Sequence, residues 1–307
     1  MDDLSRGSAI RLQDLQNRIE FMEADVRDAE AVSRAVRGVD RVCHLAFING
    51  TALFYQKPET VLEVGVKGML NVLEACRAQR VRELILVSSS EVYQNPPRIP
   101  TDEATPLSIP DPLNPRYSYA AGKILSEMLA INYGRTGFDR VLIVRPHNVY
   151  GPDMGWEHVI PQCVLRMRQL CREPANPIRF PLQGTGQETR AFVYLDDFID
   201  GLLLVLERGK HLGIYHIGMN EEITIRAVAE AIGRYFSRAV TIVPGEPAPG
   251  SPTRRCPNIS KMQQLGYDPK VRFSDGLPRV ARWYDQHADE HPATSNTDPR
   301  IAVPSRG

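Results

Sequence analysis

The 307-residue chain carries 37 Lys plus Arg against 37 Asp plus Glu, so its formal net charge is zero and it offers no basic stripe for a nucleic-acid partner. Hydrophobic residues at 42% and charged residues at 24% describe an ordinary folded globular chain and exclude global disorder. The five cysteines lack CxxC spacing and a companion histidine cluster, so neither a disulfide framework nor a metal site is expected, and the thiols read as reduced in a cytoplasm.

Charged residues Asp2, Asp3, Arg6, Arg11 and Asp14 interrupt the start of the chain, which therefore shows no signal peptide. The longest apolar runs, such as 202–206, are far too short to span a bilayer, and no membrane association is expected.

In chain order, residues 19–23 read as a strand, 29–37 as a helix closed by Gly38, 41–46 as a strand and 61–79 as one long helix. Residues 83–87 are a continuous apolar strand running into Ser88, Ser89 and Ser90. This alternation is the signature of βαβ units and a parallel sheet. A proline-rich stretch from 94 to 115 is too long and too broken for a plain connection, and reads as a functional loop over a site. Residues 118–133 are helical in pattern, and 141–144 form the next strand, leading into Arg145-Pro146-His147-Asn148-Val149-Tyr150-Gly151-Pro152.

Beyond that point the elements become irregular, as in a lobe that closes over a ligand. The expected division is 1–152, 153–284 and a polar, disordered tail from 285 to 307, with His287 and His291 solvated in it.

The chemistry begins at Tyr119 and Lys123. On a helix, positions i and i+4 lie on one face, so both side chains reach one small site. A phenol ordinarily titrates near ~10, and a neighbouring ammonium favours its anion, which suits a group that moves a proton while hydride moves. Spacing alone also fits a core tyrosine beside a solvated lysine. What shifts the balance is Ser88-Ser89-Ser90-Glu91 at the end of a buried strand, where open α/β sheets hold their ligands. A serine capping the next turn accounts for Ser88 more readily than for all three.

Taken in order, these segments resemble the extended short-chain dehydrogenase/reductases that act on nucleotide sugars, and the resemblance runs from residue 1 to about 284. It implies an α/β fold: a Rossmann-like doubly wound parallel sheet, N-terminally truncated, with a smaller C-terminal substrate-binding lobe. It implies NAD as cofactor, with Asp2 on the adenosine ribose, Asp25 and Val26 on the adenine side, and Leu45, Ala46 and Pro146 along the cofactor. Ser89, Tyr119 and Lys123 fall on the catalytic positions, and Lys123 also on the nicotinamide ribose. Glu91 is a candidate base, about evenly matched against a structural role. For the substrate, a nucleotide-diphosphate sugar, the resemblance implies Ser89, Ser90, Asn148, and Arg190 and Arg255 on phosphate, where a guanidinium fork suits a diphosphate. Outside this context both arginines would read as solvated surface charge. A homodimer through 61–79 and 118–133 is also implied.

The sequence departs from that pattern at several points. Relatives open with a strand and a Gly-x-x-Gly-x-x-Gly turn ahead of the position of Asp2, where backbone amides at a helix N-terminus hold the pyrophosphate. This sequence starts after that unit and has no Gly-x-Gly-x-x-Gly elsewhere. The expectation is a late start codon or a truncated gene and, for the chain as written, severely weakened NAD affinity. Gly65 stands where Asn is usual, Met69 where Thr is usual, and Ala191 where Asp usually follows the arginine.

The reaction expected is NAD-dependent 4-epimerisation through transient oxidation at C4. 4,6-Dehydration and uronate decarboxylation are the alternatives, because Ser89-Ser90-Glu91 lacks the Asp of the dehydratases' Thr-Asp-Glu and shows the Ser-Glu pairing of the decarboxylases. An inactive fragment or a nucleotide-sugar-binding protein without cofactor is the alternative of a different class.

Overall fold

The computed structural model describes residues 1–291. Its strands in chain order are β1 (Arg41–His44), β2 (Glu83–Val87), β3 (Arg140–Pro146), β4 (Val149–Tyr150), β5 (Ile178–Pro181), β6 (Thr189–Arg190), β7 (Val193–Tyr194), β8 (Gly213–Ile217), β9 (Ile223–Thr224), β10 (Val240–Val243) and β11 (Arg254–Arg255). The α-helices are α1 (Ala29–Ala35), α2 (Thr51–Gln56), α3 (Pro58–Leu62), α4 (Gly68–Gln79), α5 (Ser118–Gly137), α6 (Val159–Leu170), α7 (Leu195–Arg208), α8 (Ile225–Tyr235), α9 (Ser260–Gln264) and α10 (Phe273–Gln286).

The central sheet runs β1-β2-β3-β8, and every pairing in it is parallel. Because side chains alternate along a strand, Leu84 and Leu86 of β2 face one side with Val141 and Ile143 of β3, against Val72, Leu73 and Cys76 of α4. Ile85, Leu142 and Val144 face the other side, against Val205 of α7 and Met262 of α9. Helices thus cover both faces, which explains why β2 reads as a continuous apolar run rather than an alternating one. The doubly wound α/β sheet is as the sequence implies.

Residues 150–291 supply a second core, in which α6, α8 and α10 close around Tyr150, Phe180 and Phe192. Among the described residues no helix is long and apolar enough to cross a membrane.

Three expectations change. Residues 19–23 do not form a strand: the segment's pairing is confined to Asp2 opposite Glu23, through Asp2 N to Met22 O and Ala24 N to Asp2 O. The segment 61–79 is interrupted by a π-helical stretch, Glu63–Lys67, between α3 and α4. The third concerns the tail. Helix α10 continues to Gln286 and a 3-10 turn follows at Ala288–Glu290, where Trp283 packs against His287. His287 stacks on Trp283 at 4.2 Å and His291 meets Trp156 edge-on at 5.2 Å, so neither is a solvated tail residue. Residues 292–307 lie outside the described residues.

Candidate active site

Three segments converge beyond the C-terminal ends of β2 and β3: the serine turn, the start of α5, and the β6 and β11 pair. The serine turn is built by Ser89. Its backbone is extended, and its hydroxyl oxygen accepts from Glu91 N at 3.1 Å, capping the 3-10 turn Ser90–Val92. That bond uses a lone pair and leaves the hydroxyl hydrogen free to donate to a ligand oxygen. Ser88 has a different task from the cap expected of it: its hydroxyl donates to Glu127 Oε1 at 2.5 Å beneath the site. Ser90 is buried.

Tyr119 sits in the first turn of α5, stacked on Phe54 at 4.7 Å and edge-on to Phe47 at 5.1 Å. Burial pushes its phenol up to about 12, while the nearby Ser89 hydroxyl favours the anion. Lys123, one turn on, donates from Nζ to Val87 O at 2.7 Å and lies 4.2 Å from the centre of the Phe47 ring. Burial pulls its ammonium down to about 7, against the attraction of Glu127. The charges of Glu91, Arg255 and Arg6 also act on the phenol, and Lys123 Nζ lies 5.9 Å from the centre of its ring.

The unusual Gly65 has a steric explanation. A Cβ at Gly65 would come within 2.4 Å of the Phe47 ring, and one at Gly122 within 2.8 Å. Phe47 therefore occupies a notch made by two glycines, at the π-helical turn and beside Lys123, and an Asn at 65 would collide with it. Met69 is fully buried core.

Below the site lies a buried polar network. Arg145 on β3 donates to both oxygens of Glu127, at 2.9 and 2.5 Å, and the two side chains are 3% and 1% exposed. Arg145 also donates to the Tyr93 hydroxyl and to Glu103 O. The Tyr93 hydroxyl meets His216 Nε2 at 2.6 Å, and His216 Nδ1 meets Asn258 O at 3.2 Å. A carbonyl only accepts, so Nδ1 carries the hydrogen and Nε2 accepts from Tyr93. Burial holds His216 neutral, down to about 3. Glu103, which accepts from His216 N at 3.0 Å, fastens the proline-rich loop over this network.

On the opposite wall Arg190 and Arg255 are register partners in the parallel β6–β11 pair. Arg255, 9% exposed, donates from Nη1 to Glu91 Oε1 at 2.7 Å, while its buried Nη2 has no partner among the described residues. Arg190 donates to Thr189 O at 2.8 Å and to Ser251 Oγ at 3.3 Å, and burial with the charge of Arg255 lowers it to about 10. Neither is a solvated surface charge. Asn148 adopts a left-handed φ of 42° and donates from Nδ2 to Ala191 O at 3.1 Å, a bond that does not use its amide oxygen.

Burial alone would raise the Glu91 carboxyl, but the charge and hydrogen bond of Arg255, with Arg116 and Gln94, bring it down to about 2. A carboxyl lowered by folding stabilises the fold above its unfolded value near 4.5, and that contribution is lost as pH falls toward 2. Glu91→Gln is therefore expected to destabilise the protein by about 3 kcal/mol at pH 7. The gap between the two proteins should narrow steadily below pH ~4.5. Urea midpoints across that range check this; a gap independent of pH would contradict it.

Residues 2–218 match the family model described as "NAD dependent epimerase/dehydratase family". The chain belongs to that family. It is 31% identical to UDP-glucuronic acid decarboxylase 3 of Arabidopsis thaliana over 264 residues, covering 85% of this chain and 73% of that protein. It is likewise 31% identical over 246 residues to UDP-glucuronic acid decarboxylase 1 of the same plant, covering 79% of this chain. The match takes in 54% of that relative, so the chain spans about half its length. Among solved structures, DesIV, a dTDP-glucose 4,6-dehydratase from Streptomyces venezuelae with NAD bound, superposes with a TM-score of 0.81 at 31% identity, covering 93% of this chain and 86% of that one.

The chain is a member of an NAD-using enzyme family, and the residues that the resemblance implies for the cofactor are placed as follows. Asp2 uses one carboxylate oxygen on Leu4 N at 2.8 Å and leaves the other open. Leu45, 51% exposed, and Ala46 follow β1, and Pro146 ends β3. The buried His44 Nε2, without a partner, lies within reach of the Lys123 charge. Asp25 departs from this pattern, since Arg27 occupies both of its carboxylate oxygens, and Val26 contributes its carbonyl to Asn71 and its side chain to the core.

The structure adds Arg116, Gln94, Glu127 and Arg145 to the sequence-derived site. Glu127 carried a usable signal, falling on the Tyr119 and Lys123 face at a further i+4 step.

Proposed function

We propose that this family member oxidises a nucleoside-diphosphate glucuronate at C4, releases its carboxyl group as carbon dioxide, and reduces the ketone that remains. The observation that carries this reading is the Glu91–Arg255 pair beside Ser90. Expelling a C6 hydroxyl as water needs an acid at that position; residue 90 is a serine, and Glu91 is held as a carboxylate near neutrality. Decarboxylation needs no such acid. Once C4 is a ketone, the C6 carboxylate is β to it, and the electrons of the C5–C6 bond move into the C4 carbonyl as carbon dioxide leaves.

Bound NAD supplies the acceptance of hydride from C4 and its return. In this reading the Tyr119 phenolate takes the C4 hydroxyl proton and gives it back at the end. Ser89 donates to the same oxygen and stabilises the enolate left by carbon dioxide loss. C5 then takes one proton, so the net change is one carbon dioxide lost and one proton gained. Arg190 and Arg255 hold the diphosphate and Asn148 a sugar or phosphate-side donor. The similarity to the Arabidopsis decarboxylases supports this reading over the 4-epimerisation expected from sequence, for which the Glu91–Arg255 pair has no evident task.

Incubation with NAD and UDP-glucuronate, UDP-glucose or dTDP-glucose, followed by mass and NMR analysis, separates the possibilities. The expected result is a UDP-pentose and carbon dioxide from UDP-glucuronate alone. A mass-neutral product would establish epimerisation, loss of water from dTDP-glucose dehydration, and no product a binding role.

A further inference from the structure

Resting on the decarboxylase reading, we propose that Arg116 binds the carboxylate of the sugar and so selects a hexuronate over a neutral hexose. Arg116 lies in the 3-10 turn Pro115–Tyr117, three residues ahead of Tyr119, and Asn114 caps that turn by accepting from Arg116 N at 3.0 Å. Its Nε is buried and without a partner, and its guanidinium makes no ion pair within 4.0 Å among the described residues. A buried guanidinium donor without an acceptor is costly, and a ligand oxygen is the simplest acceptor at this place.

The neighbouring charges say what kind of ligand. The fields of Arg116, Arg190 and Arg255 overlap at this site, and Glu91, the carboxylate that both Arg116 and Arg255 act on, is already committed to Arg255 Nη1. Arg190 and Arg255 stand side by side on β6 and β11, a spacing that suits two linked phosphates. Arg116 comes from the other wall, on the backbone that carries Tyr119. Its position is thus tied to the reacting end of the sugar, where the C6 carboxylate is two bonds from the carbon whose hydroxyl Tyr119 handles.

Calorimetric binding of UDP, UDP-glucose and UDP-glucuronate to the wild type, Arg116→Gln and Arg116→Lys tests the assignment without requiring turnover. Losing one charge-assisted contact is expected to weaken UDP-glucuronate by about 10- to 100-fold in Arg116→Gln. UDP and UDP-glucose should change less than about threefold, and Arg116→Lys should recover part of the loss. Equal weakening of UDP would make Arg116 a diphosphate ligand. Unchanged UDP-glucuronate binding, or loss of the thermal unfolding transition in both variants, would also overturn the proposal. The two readings fail separately. Carbon dioxide release with a binding preference independent of Arg116 removes only the Arg116 assignment, whereas an Arg116-dependent preference without carbon dioxide release removes only the reaction.

Discussion

Tyr119→Phe is expected to lower kcat by about 10²- to 10⁴-fold, the range general acid–base catalysis supplies, with KM within about threefold of the wild type. The substitution is clean because the ring is held by its faces and edge: Phe54 stacks on it and Phe47 meets it edge-on, and phenylalanine keeps both contacts. What disappears is the hydroxyl proposed to exchange a proton with the sugar, beside the Ser89 hydroxyl. Single-turnover rates at saturating UDP-glucuronate check this. A loss of less than about tenfold would mean that the proton leaves by another route.

Glu127→Ala is expected to destabilise the fold by about 3–5 kcal/mol, because it leaves the Arg145 guanidinium buried beneath the site without its counter-charge. The cost arises from the uncompensated cation more than from the lost attraction. Replacing both residues together by Leu and Met should therefore recover much of the stability, although Ser88 and Tyr93 would lose their partners. Urea titration with an unchanged m-value reads the difference directly. A single-variant cost below about 1 kcal/mol would show that water relieves the exposed charge and that the network is not closed.

The parallel sheet was legible because β2 and β3 are apolar on both faces, a property of the residues themselves. The strand expected at 19–23 failed for the complementary reason, since pairing depends on what lies alongside and only Asp2 does. The π-helical interruption at Glu63–Lys67 has no local signature, and Phe47, whose ring packs against it at Gly65, comes from a loop outside the helix.

At the site, the shared helix face of Tyr119 and Lys123 could be read from their spacing, whereas their chemistry was implied only by the resemblance. The turn is capped by Ser89 rather than Ser88, because the Ser88 hydroxyl is engaged by Glu127. Arg190 and Arg255 were legible only as an ordered resemblance. Their adjacency across β6 and β11, the commitment of Glu91 to Arg255, and the free donor of Arg116 are tertiary facts without a local signature.

The account rests on oxidation at C4 preceding loss of the carboxyl group. Its most direct test follows the near-ultraviolet absorbance of reduced nicotinamide during one turnover, with UDP-glucuronate carrying either hydrogen or deuterium at C4. The account predicts a transient rise before carbon dioxide appears, slower with deuterium, and a pentose product that keeps the label at C4. Carbon dioxide release without that transient, at a rate indifferent to the isotope, would contradict it.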